Sequence, residues 1–92
     1  MLLGEVIAGF DDESAANEAL LSLGDLALML RVSALAAEEQ VSAGQLAIQA
    51  VGYFVNSASD EDWLTLVGQM SRADDPGLVF LRSALSHALP QP

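Results

Sequence analysis

The residues between positions 60 and 72 alternate between apolar and polar with the period of an amphipathic helix. At about 100° per residue, Glu61, Gln69 and Arg72 fall on one side of this segment. The opposite side collects the apolar residues Trp63, Leu64, Leu66, Val67 and Met70. Residues 76–89 carry a similar inner stripe, formed by Leu78, Leu81, Leu85, Ala88 and Leu89, with Phe80 off the stripe.

Two central segments are apolar on more than one side. Between residues 26 and 37 the large apolar side chains point in nearly every direction around a helix. Between residues 43 and 55 two nearly opposite apolar sectors leave only a narrow polar stripe, made by Gln45, Gln49, Asn56 and Gly52. A helix that is apolar all round is normally buried. The pattern therefore predicts a central apolar helical hairpin.

Short polar side chains mark where the helices begin. Three serines have a partner three residues later that can complete a capping box: Ser22 with Asp25, Ser42 with Gln45, and Ser59 with Asp62. Pro76 after Asp74 and Asp75 suits a first helical position. These signals predict helices at 2–8, 13–21, 24–39, 43–57, 60–72 and 76–89.

The predicted fold is all-α, a small bundle of five to six helices around the central hairpin. The 92 residues are 52% apolar and 17% charged, which suits one compact domain covering residues 1–92. The short apolar run at 19–23 leaves a strand open as an alternative to a helix.

The central apolar surface exceeds what so short a chain can cover. A chain of this length buries only about 60% of its extended surface, so a second chain is expected, and a twofold homodimer is the favoured form. A different partner chain remains open, as does packing of the glycines within one monomer. The predicted interface residues are Leu28, Val32, Leu35, Gly44, Ile48, Gly52 and Val55.

The charge balance indicates which partners fit. Thirteen acidic residues against three basic ones, all arginine, give a formal net charge of -10. Such a surface repels nucleic-acid backbones and anionic membranes, so direct nucleic-acid or membrane binding is not expected. A basic protein is the expected partner. The sequence predicts a non-enzymatic protein-interaction module that dimerises through its central helices.

No residue pattern predicts a catalytic, cofactor or metal site. The chain has no cysteine and one histidine, His87. The acidic clusters at 11–13 and 60–62 are consecutive, and consecutive carboxylates on a helix point apart. Helix caps and solvated charge are the expected roles of these acids.

The longest charge-free stretch, residues 40–59, equals a bilayer span in length but contains glutamines, an asparagine and serines. The apolar run at 1–10 lacks preceding basic residues and is interrupted by Glu5. We therefore expect neither a membrane helix nor a signal peptide, and a cytoplasmic location.

Residues 31–55 resemble the two-helix half of ribbon-helix-helix regulators. The matching positions are Leu35, Val41, Ser42, Leu46, Ala50, Val51 and Phe54. The resemblance implies an intertwined dimer, with residues 19–23 as the strand that pairs into a DNA-reading ribbon. Because that segment offers no basic side chain, the alternative function is a degenerate regulator or antitoxin-like subunit whose DNA contact is lost or supplied by a partner.

Overall fold

The computed structural model describes residues 12–89, which form five helices. They are α1 (Glu13–Ser22), α2 (Leu26–Glu39), α3 (Ala43–Ser57), α4 (Asp60–Ser71) and α5 (Pro76–Ala88). The all-α prediction is confirmed for this part of the chain, and the helix predicted at 2–8 lies outside it. Residues 19–22 complete α1, so the strand alternative is wrong, and the ribbon implied by the regulator resemblance has no counterpart there.

Polar side chains begin the helices largely where the sequence predicts. Ser42 accepts a hydrogen bond from the Gln45 amide, and Ser59 with Asp62 forms a complete capping box. Asp75 caps α5 immediately before its first residue, a proline. The cap predicted at Ser22 is wrong, because Ser22 ends α1 and Asp25 caps α2 instead. Between them Gly24 adopts a φ of 63°, which a glycine tolerates without strain.

The centre of the bundle is α3, which contacts α1, α2 and α5. The buried residues of α3 are Gly44, Leu46, Ala47, Ala50, Val51 and Phe54. The contact of α2 with α3 is smaller than those that α1 and α5 make with α3. The bundle therefore surrounds a single central helix, and α2 lies at its side.

Aromatic side chains join α3, α4 and α5. The ring of Phe54 meets those of Trp63 and Phe80 edge-on, with centroids 5.0 and 5.8 Å away. Phe80 is fully buried although it falls outside the predicted stripe of its helix. The reason is that α5 packs against both α3 and α4, so two of its sides are covered.

The covered side of α4 is narrower than its apolar pattern predicts. Leu66 and Met70 are buried, and Trp63 packs partly against the core. Leu64 and Val67, which the pattern assigned to the same inner side, are 74% and 43% exposed. Among residues 12–89 the main neighbour of α4 is α5, so the covered part of α4 is a narrow strip.

The charge-free stretch at 40–59 contains α3, a helix of 15 residues. Within residues 12–89, no helix has both the length and the apolar character that crossing a membrane requires.

Glycine has two different roles along α3, which gives a stability prediction. A Cβ at Gly44 would lie 2.6 Å from the carbonyl oxygen of Glu13, whereas a Cβ at Gly52 would meet nothing within 4 Å. We expect Gly44→Ala to lower the free energy of unfolding by about 1–3 kcal/mol, since α1 must move away. Gly52→Ala should raise it by up to ~1 kcal/mol through helix propensity. Urea unfolding of both variants measures the difference, and a Gly44→Ala protein as stable as the parent contradicts the close approach of α1.

The N-terminus of α2 is tied to α5 by an ion pair. Arg82 Nη1 donates to Asp25 Oδ2 over 2.7 Å, and Asp25 Oδ1 accepts from the Leu28 amide over 3.1 Å. The Leu28 amide first, and then the Arg82 guanidinium, hold the pKa of Asp25 below its ordinary value of 3.8.

This ion pair predicts a pH dependence. A carboxyl whose pKa is lowered by folding adds stability that is present above the unfolded pKa and is lost as the pH falls through the folded pKa. We therefore expect the unfolding free energy of Asp25→Asn to fall less steeply than that of the parent as the pH drops below the ordinary 3.8. Asparagine keeps the cap, so the comparison isolates the charge. Equal pH slopes in urea unfolding experiments would count against the pair.

Candidate functional site

One side of α2 is apolar and exposed. Leu26 is 75% and Leu30 is 63% exposed, and their spacing of four residues places them on the same side of the helix. Ser33, Ala34 and Ala37 continue this side and are also exposed. We call these five residues the outer face of α2. Its positions carry no charge, because the charged residues of α2 lie elsewhere around the helix.

The opposite side of α2 belongs to the core. Leu28, Val32 and Ala36 are 7%, 0% and 4% exposed and join the buried cluster around α3. The prediction that α2 is apolar all round therefore describes its composition correctly. Among residues 12–89, however, the helices cover only one of its two apolar sides.

The apolar surface continues from α2 onto the end of α1. Leu21, in the last turn of α1, is 64% exposed. It lines a shallow depression together with Gly24, Asp25, Leu26 and Met29. The Asp25 carboxylate in this depression already binds the Leu28 amide and Arg82, so it is stabilised as an anion there.

The predicted interface residues divide between core and surface. Leu28 and Val32 are buried inside the chain's own core, and Gly44 is buried against Glu13. Leu35 and Ile48 are partly buried against the same core. Gly52 and Val55 are exposed on α3, Val55 by 38%.

Sequence reasoning did not single out the residues of the outer face of α2. Leu26 and Leu30 were counted only as part of a helix that is apolar all round. A helical wheel of α2 does contain the signal, because the sector of Leu26, Leu30, Ala34 and Ala37 is free of charge. The wheel alone could not say whether this sector or that of Leu28 and Val32 meets α3.

The acidic clusters have local structural roles. Asp12 accepts a hydrogen bond from the Ser14 amide as the cap of α1, and Glu13 accepts one from the Ser42 hydroxyl. Asp62 completes the cap of α4. Within residues 12–89, no three histidine, cysteine, aspartate or glutamate residues gather as a metal-binding group. Asp11 lies outside that range.

His87 lies at the end of α5 and packs on α3. Its ring centroid is 5.5 Å from that of Tyr53 and 5.4 Å from that of Phe54. Its Nε2 lies 3.3 Å from the hydroxyl of Ser57, which itself donates to the Tyr53 carbonyl. These contacts join the C-terminal ends of two helices, which is a structural role.

The outer face of α2 exposes apolar side chains next to each other on a strongly acidic protein. No family model, curated protein or solved structure matches the chain.

Proposed function

We propose that this chain is a non-enzymatic protein-interaction module that forms a homodimer through the outer face of α2 and binds a basic protein with its acidic surface. The observation that carries the proposal is the exposure of Leu26 and Leu30, 75% and 63%, on one uncharged side of a helix. Fully burying one leucine side chain contributes about 1.5–3 kcal/mol relative to leaving it exposed. A symmetric contact would bury both leucines in each copy.

Charge supports a second copy as the occupant of this face. The chain carries a net charge of -10, so two copies repel each other wherever acidic surfaces meet. The outer face of α2 contains no acidic residue, so two such faces would meet through uncharged side chains. A basic partner would gain nothing here from charge and fits the acidic remainder of the surface better.

The shape of the face also suits a twofold contact. In such a contact the same patch meets itself, which requires a self-complementary surface. Leu26 and Leu30 project from one half of the helix, while Ser33, Ala34 and Ala37 are small and occupy the other half. In an antiparallel arrangement the leucines of one copy would pack over the alanines of the other.

We expect Leu30→Glu to convert the dimer into a monomer, with Leu64→Glu as the matched control. Both leucines are the fifth residue of their helices and are mostly exposed, 63% and 74%. A carboxylate without a partner in a desolvated contact costs several kcal/mol, so the dissociation constant of the Leu30 variant should rise by about 100-fold or more. Light scattering at tens of micromolar should give a dimer for the parent and for Leu64→Glu and a monomer for Leu30→Glu.

A third variant tests which of the two central helices, α2 or α3, forms the dimer contact. Val55→Asp places a charge on an exposed residue of α3 that the sequence predicted as part of the interface. Ile48 is less suitable, because it packs against the core of its own chain and a charge there would affect folding. We expect Val55→Asp to remain a dimer. If Val55→Asp were monomeric and Leu30→Glu remained a dimer, the interface would lie on α3 and not on α2. A monomeric parent protein would refute dimerisation itself.

A further inference from the structure

An apolar cleft lies between α2, α3 and α5. Its volume is about 190 Å³. Its lining includes Leu35 and Glu39 of α2, Leu46, Ala50 and Tyr53 of α3, and Leu85 and Ala88 of α5. Leu35 and Glu39 follow Leu30 by five and nine residues, which places them on the other side of α2 at about 100° per residue. A dimer formed through the outer face of α2 therefore leaves this cleft open.

The volume of the cleft suits a single aromatic side chain. An apolar cavity of about 150 Å³ is known to hold a benzene molecule, whereas clefts for drug-sized ligands measure about 300–1,000 Å³. Leu46, Ala50 and Leu85, which line the cleft, are 5%, 4% and 0% exposed and belong to the core. An aromatic side chain placed there would be surrounded by apolar atoms that are already fixed in position.

The edge of the cleft favours a positive charge beside that aromatic ring. Glu39 is exposed and is the only charged residue among those described that line the cleft. Glu38 precedes it, and the chain as a whole carries a net charge of -10. The ring of Tyr53, 54% exposed, offers a face that attracts a guanidinium as well. Cationic groups are therefore attracted to this edge.

We propose that this cleft binds an aromatic side chain of a basic protein partner, with an arginine next to that side chain pairing with Glu39. The inference rests on the proposed function, since it names the chemistry of the basic partner. It uses a surface separate from the outer face of α2. Failure of the dimer changes the molecular mass in solution, and failure of the cleft changes peptide binding, so the two outcomes are distinguishable.

Three small peptides test the proposal by NMR on the full chain with labelled methyl groups. The probes are acetyl-Phe-Arg-amide, acetyl-Phe-Glu-amide and acetyl-Ser-Arg-amide at millimolar concentrations. The first should give saturable shifts centred on the methyl groups of Leu46, Ala50 and Leu85. Its dissociation constant should be about threefold lower than that of the glutamate peptide, the size expected of an exposed ion pair. The serine peptide should give no saturable shift.

Two matched variants separate the roles of charge and cavity. Glu39→Gln should remove most of the preference for arginine over glutamate, whereas Glu38→Gln, which removes the same charge just outside the lining, should leave most of it. Ala88→Leu should fill the cleft and weaken binding of the phenylalanine peptides at least tenfold, with thermal unfolding confirming that the variant is folded. The proposal is overturned if no saturable shift occurs, if the shifts centre on Leu26 and Leu30, or if both phenylalanine peptides bind equally.

Discussion

Within residues 12–89, the arrangement of the helices depends on α2, which is apolar on two sides and is covered by the other helices on only one. On one side of α2, Leu28 and Val32 are buried. On the other side, Leu26 is 75% and Leu30 is 63% exposed. Exposed apolar area of this kind has little effect on the stability of the isolated chain. It favours association, because a contact between two chains removes apolar area from water on both chains at once. The apolar surface that α2 offers to other molecules follows from this imbalance.

The position of α2 is set by how the other helices share α3. At Gly44 the missing side chain lets α1 approach to a distance that a Cβ would forbid, and the aromatic contacts of Phe54 join α3 to α4 and α5. The remaining part of α3 accommodates one side of α2. The turn at Gly24 and the ion pair between Asp25 and Arg82 then fix where α2 begins. The outer face of α2 stays exposed. The C-terminal end of α2 borders the cleft next to α5.

The positions of the helices could be predicted from the sequence, because capping side chains act locally. Which helix packs against each face could not be predicted in this way. Ser42, Ser59 and Asp75 act through bonds within a few residues, so their positions alone give the helix starts. The cap predicted at Ser22 was wrong because two capping-type residues stand three apart: α1 continues through Ser22, and Asp25 is the residue that caps α2. Apolar periodicity could not distinguish Leu64, which is exposed, from Leu66, which is buried, because that depends on the width of the contact with α5.

For the same reason, the sequence could not show which apolar side of α2 packs on α3 and which side stays exposed. The decisive experiment therefore asks which side of α2 contacts a second copy. A mixed sample of labelled and unlabelled chains, studied by isotope-filtered NOE spectroscopy, detects contacts between copies and no contact within one copy. Dimerisation through the outer face of α2 predicts intermolecular contacts from the methyl groups of Leu26 and Leu30 to the alanines of that face. Intermolecular contacts confined to Ile48 and Val55, or none from any methyl group, would contradict it.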